Sequence, residues 1–91
     1  MKKILFITSE ISPLIKTGGL ADVAGSLPIA LTDLSQDVKI ILPYYNHLKL
    51  NQEPKYLTHI FSDNRRVTLF ETLLPETNIP ILLVDYSEFF H

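Results

Sequence analysis

Three short apolar runs constrain this chain more than any other feature. "KILFIT" at 3–8, "DVKIIL" at 37–42 and "IPILLVD" at 79–85 are apolar almost throughout, without the strict alternation of a strand that has one wet face. Such runs read as parallel strands buried on both sides. Between the first two, Leu20, Val23, Ala24, Leu27, Leu31 and Leu34 recur at helical spacing, which predicts one helix with a single buried stripe. A strand, a helix and a strand in that order make a right-handed βαβ unit with the strands parallel. Pro28 lies inside the helix and removes the bond to the carbonyl of residue 24. Because the stripe stays in phase across it, a kink is expected there, in preference to a second helix capped by Ser26.

Downstream, Tyr56–Ser62 and Val67–Leu74 flank the turn-like "DNRR" and predict an antiparallel hairpin inserted into the α/β plan. The tail "YSEFFH" reads as a loop or the start of a helix. Three strands of this kind need cover on both faces, whereas one helix covers only one. The expected fold class is therefore α/β, part of a doubly wound parallel sheet with an inserted β-hairpin, and the domain is expected to be incomplete over residues 1–91. A chain of 91 residues holds one domain at most.

Composition excludes several roles. Hydrophobic residues at 46% and charged residues at 20% are globular proportions. Acids outnumber bases by 10 to 8, and the bases are scattered apart from Lys2-Lys3 and Arg65-Arg66, so no stripe exists to neutralise nucleic-acid phosphates. The first apolar run is broken by Thr8, Ser9 and Glu10, too soon for a secretion signal, and no run is long enough to span a bilayer. Cysteine is absent, which excludes a disulfide framework and fits a reducing compartment. A cytoplasmic protein without nucleic-acid or membrane partners is expected. His47, His59 and His91 have no metal-ligand spacing, and neither a metal nor a cofactor is expected.

Chemistry concentrates between the first strand and the helix. The connection runs from Ser9 to Gly19, eleven residues where such loops commonly have about two to six. It lies at the carboxyl end of a strand, where ligands of doubly wound folds bind and helix N-termini present unpaired amides to phosphate. "PLIKTGGLADVAG" places Lys16, Gly18 and Gly19 there. Two glycines in a first helical turn cost roughly 1 kcal/mol each relative to alanine. Either an anion approaches the bare amides with help from Lys16, or the glycines serve a left-handed turn or close packing and Lys16 is solvated. The pattern is neither a Walker A loop nor G-x-G-x-x-G. Asp22 in the first turn suits the helix dipole whatever else it touches. Glu10 and Asp22 fix no separation that would mark a glycosidase pair. Tyr44-Tyr45 could stack on a sugar or close the core.

"ITSEISPLIKTGGLADVAGSLPIAL" resembles the amino-terminal segment of bacterial glycogen synthases and plant starch synthases, with S-E, P-L-x-K-T-G-G-L-A-D-V and G-x-L-P in order. The likeness continues through "DVKIILPYY" and, more loosely, to "IPILLVDYSEFF". It implies a retaining glycosyltransferase of two Rossmann-like domains with the active site between them, moving glucose from ADP-glucose to the non-reducing end of an α-1,4-glucan. On this chain the resemblance gives Lys16 to the donor diphosphate and departing ADP, and Gly18 and Gly19 to backbone contacts near the sugar and phosphate. Asp22 would face the cleft, and Glu10 is a weaker candidate for the acceptor glucan.

One departure is local: Ser35-Gln36 stands where the family usually has Gly-His, losing the glycine favoured after a helix. The other is global, since the second domain lies outside these residues, so the remainder of the enzyme is an implied partner and the chain alone is expected to be inactive. Two alternatives stay open: a transferase using another nucleotide sugar, and a non-enzymatic flavodoxin-like module binding a nucleotide or partner.

Overall fold

The computed structural model describes residues 2–45, 47–50 and 52–88. Its elements in chain order are β1 (Lys3–Ile7), α1 (Leu20–Asp33), β2 (Asp37–Pro43), β3 (Lys55–Ser62), β4 (Arg65–Leu73) and β5 (Pro80–Glu88). They form one sheet in the order β1-β2-β5-β4-β3. β1 and β5 run parallel to β2 on either side of it, with Phe6 opposite Ile40 and Ile40 opposite Ile81. β4 joins β5 antiparallel and β3 extends the same sheet, so the hairpin widens one edge. Asp63 and Asn64, at φ 51° and 64°, make the two-residue turn in which both positions are left-handed, the geometry that matches strand twist.

The tail departs from the sequence reading. Tyr86–Glu88 continue β5 instead of forming a loop or helix, because β4 reaches far enough to offer Arg65, Arg66 and Val67 as backbone partners. Phe89, Phe90 and His91 lie outside the described residues.

The helix is single and runs through Pro28. Its buried stripe, however, is not the expected one. Ala21, Ala24 and Pro28 are buried and Leu31 half-buried, while Leu20, Val23, Leu27 and Leu34 are exposed. Both sets follow helical spacing, so periodicity alone could not choose between them. Close approach chooses: a Cβ on Gly25 would lie 2.8 Å from the carbonyl oxygen of Ser12, so the helix rests on the β1–α1 loop along its small residues. The helix ends cleanly despite the missing glycine. Ser35 takes the left-handed conformation at φ 63°, its amide donates to Thr32 O at 2.9 Å, and Gln36 N donates to Leu31 O at 3.1 Å. This is a Schellman closure that a non-glycine residue makes at a cost of about 1 kcal/mol.

The core lies on the helix side of the sheet. Val38, Ile40 and Leu42 of β2 and Ile81 and Leu83 of β5 meet Ala24 of the helix and, from the β1–α1 loop, Ile11, Leu14 and Ile15. Each large aliphatic side chain buried there contributes about 1.5–3 kcal/mol. The opposite face is bare. Leu5 (56% exposed), Ile7 (71%) and Tyr86 (55%) stand open, and Ile7, Ile41, Pro43, Val84 and Tyr86 line an apolar hollow of about 440 Å³. No helix among the described residues is long and apolar enough to cross a membrane.

Candidate functional site

The carboxyl ends of β1, β2 and β5 share one rim of the sheet, and the β1–α1 loop rises from it. The loop is irregular but anchored. Ile11 and Ile15 bond each other's backbone in both directions, at 3.1 and 2.9 Å, and their side chains together with Leu14 plug the core. Ser12 N donates to Ala21 O at 3.0 Å and Lys49 N to Leu14 O at 3.0 Å, tying the plug to the helix and to the segment after β2. With its middle fixed in this way, the loop delivers residues 16–19 to the start of α1.

Lys16, Gly18, Gly19, Asp22 and Glu10 all converge there. The Lys16 ammonium donates to both carboxylate oxygens of Asp22, at 2.8 and 2.9 Å, in a pair whose side chains are more than half exposed. A pair so wet is worth roughly 0–1 kcal/mol, so Lys16 can exchange Asp22 for another anion at little cost. Glu10 is buried, and its carboxylate points inward. Oε1 accepts from Ala21 N at 2.9 Å, while Oε2 accepts from Thr17 N at 3.0 Å and from the Thr17 hydroxyl. The Thr17 hydroxyl above all, and then the two amides, hold the Glu10 carboxyl below its ordinary value, against burial and the Asp22 charge, which push it up.

The glycines are the more telling part. Gly19 has φ −69° and ψ −23°, ordinary helical values, and neither it nor Gly18 is left-handed. A Cβ on Gly19 would meet nothing within 4 Å, and one on Gly18 only Glu10 Oε1 at 3.8 Å, an ordinary contact. Neither turn geometry nor packing in this chain requires glycine at these positions. Among the described residues, no acceptor meets the amides of Gly18, Gly19 and Leu20.

Tyr44 and Tyr45 close the core. Tyr44 stands edge-on to Phe70 with ring centroids 5.1 Å apart, and the Tyr45 hydroxyl donates to Ser9 O at 3.0 Å, linking the ends of β1 and β2. His47 lies beside the Tyr45 ring, and His59 sits on exposed β3 between Tyr56 and Phe61. Thr17 and Thr8 escaped the sequence reading. Thr8 is buried, with its hydroxyl donating to Glu10 O at 2.8 Å, and Thr17 engages Glu10 across seven residues. No local spacing rule announces such a pairing, and the burial of Glu10 that it serves shows only in the fold.

The model of the starch synthase catalytic domain matches residues 3–91. The chain belongs to that family. The glycogen synthase of Cellvibrio japonicus is 52% identical across 98% of this chain and 19% of the relative, and that of Gloeobacter violaceus is 42% identical across 96% and 19%. The chain thus spans about a fifth of the length of the curated relatives it matches. Among solved structures, the catalytic domain of starch synthase IV from Arabidopsis thaliana, bound to ADP and acarbose, superposes with a TM-score of 0.80 at 24% identity, over 92% of this chain and 18% of that one. That likeness shows the fold, a Rossmann-like α/β sheet. In this chain, the K-T-G-G-L stretch occupies the loop tip and the first residue of the helix.

Proposed function

We propose that this segment supplies the diphosphate-binding wall of a glycogen or starch synthase, a retaining glycosyltransferase that moves glucose from ADP-glucose to the non-reducing end of an α-1,4-glucan in the cytoplasm. The observation that carries the reading is the pair of glycines whose geometry the fold does not need. Space left open over unpaired amides at a helix N-terminus, beside an ammonium held only by an exposed carboxylate, suits a diphosphate. As the bond from the anomeric carbon to the phosphate oxygen breaks, negative charge grows on the departing nucleoside diphosphate. Lys16 and the amides of Gly18 and Gly19 meet that charge where it develops. Asp22 parks the ammonium until the donor arrives, then faces the cleft. Family membership and the ADP in the Arabidopsis structure support the same assignment.

The bare sheet face and the exposed stripe of α1 belong, in this reading, against the remainder of the enzyme, which carries the second half of the site; the segment alone is inactive. A self-sufficient binding module would have to leave both apolar surfaces in water, which disfavours the non-enzymatic alternative. In an intact enzyme carrying this segment, Lys16→Ala is expected to lower kcat/KM for the donor by about 10²-fold or more with little change in melting temperature. Steady-state kinetics with ADP-glucose and UDP-glucose test the role and the choice of base together. Unchanged donor kinetics would return Lys16 to a solvated loop.

A further inference from the structure

Glu10 carries an unusual load for a loop carboxylate. It is only 6% exposed, and both oxygens are committed, one to the Ala21 amide at 2.9 Å and the other to the amide and hydroxyl of Thr17. Those two amides flank the three that stay unpaired, of Gly18, Gly19 and Leu20. An anion bound inside the start of a helix competes for the same donors as an incoming phosphate and fixes which of them remain. Thr8 extends the arrangement, since its hydroxyl holds the Glu10 carbonyl at 2.8 Å and ties the residue to the end of β1.

We infer that Glu10 is a positioning residue for the donor: it occupies the Thr17 and Ala21 amides as a built-in anion, so that a diphosphate is received by the Gly18, Gly19 and Leu20 amides and Lys16. The inference rests on the diphosphate reading above and assigns Glu10 to the loop, not to the glucan. Two consequences separate it from simple scaffolding. Disturbing Glu10 acts on the sugar nucleotide and not on the glucan, and disturbing its partner Thr17 acts in the same direction. The Thr17 hydroxyl and the two amides hold the carboxyl below its ordinary pKa, which agrees with a side chain kept ionised for this purpose.

The test compares variants of an intact enzyme carrying this segment, with ADP-glucose and a soluble α-1,4-glucan as probes. Glu10→Gln keeps the side chain's size but turns one acceptor into a donor that faces other donors. It is expected to lower kcat/KM for the sugar nucleotide about tenfold or more, with the glucan KM changed less than about twofold. Thr17→Val, which removes only the hydroxyl bond, gives a smaller loss of the same kind, and Thr17→Ser recovers part of it; this pair decides the matter if Glu10→Gln fails to fold. Lys16→Ala is measured beside them. Donor kinetics crippled in Lys16→Ala but intact in Glu10→Gln and Thr17→Val overturn the positioning role and leave the diphosphate reading standing. A rise confined to the glucan KM in Glu10→Gln overturns it in favour of direct glucan contact. Wild-type kinetics in Lys16→Ala remove the diphosphate reading, and the inference with it.

Discussion

The β1–α1 loop and the β3–β4 hairpin invert the usual link between regularity and burial. The hairpin is regular, with paired strands and a two-residue turn, yet every residue of β3 is exposed. The loop has no repeating structure, yet Ile11 and Leu14 are as buried as any residue of the sheet, and its one buried acid has every oxygen matched. Regular backbone hydrogen bonding to β4 lets β3 hold its shape without burial. The loop holds its shape through contacts that are long in sequence, and so it can leave three amides at its tip unpaired. Order enforced from outside a segment can be spent on a binding surface.

If the tip is held for a ligand, its glycines should matter to chemistry and not to folding. Gly19→Ala places a methyl group where nothing stands within 4 Å, at helical φ and ψ. The fold is expected to keep its stability or gain up to about 1 kcal/mol, and not to lose any. Donor kcat/KM is expected to fall about 10²-fold, because the methyl group occupies the approach to the amides. Melting curves and donor kinetics on one variant give both numbers. Normal kinetics there would reduce the loop to a structural plug.

Gly25 should show the opposite behaviour. Its Cβ would press to 2.8 Å on the Ser12 carbonyl oxygen, which is backbone and cannot swing aside. Gly25→Ala is therefore expected to destabilise an intact enzyme by about 1–3 kcal/mol through overpacking, visible as a lower urea midpoint. A midpoint unchanged from wild type would mean that the helix does not rest on the loop, and the burial of Ala21 and Ala24 would need another cause.

These contrasts also mark what the sequence could tell. The hairpin was legible because its signals are local: two β-rich runs about a polar turn. The three parallel strands were legible from their nearly continuous apolar runs, and the long β1–α1 connection from its excess length. The helix was visible, but its buried side was not. Leu20, Val23, Leu27 and Leu34 looked like the core stripe because they are large, whereas contact with Ser12 selects the small residues. Nor could the sequence separate Gly19 from Gly25, since one faces open space and the other the carbonyl of Ser12, far along the chain. Tyr86–Glu88 became strand for a similar reason, through partners on β4.

The smallest expected effect belongs to the hairpin, and it sharpens the comparison from the other side. Asn64 takes φ 64° at the second turn position, where glycine adopts that conformation without the steric cost a side chain carries. Asn64→Gly should stabilise the hairpin locally by about 0.5 kcal/mol, less than the full left-handed penalty because asparagine tolerates the conformation and glycine gains freedom in the unfolded chain. Hydrogen exchange of the β3 and β4 amides in an intact enzyme reads such a change as roughly a twofold slowing. Donor and glucan kinetics should stay at wild-type values, since the turn joins the two strands at the sheet edge opposite β1. Slower exchange with altered donor kinetics would show that hairpin and loop are coupled through the sheet, and the division between a self-ordered edge and an externally ordered site would fail.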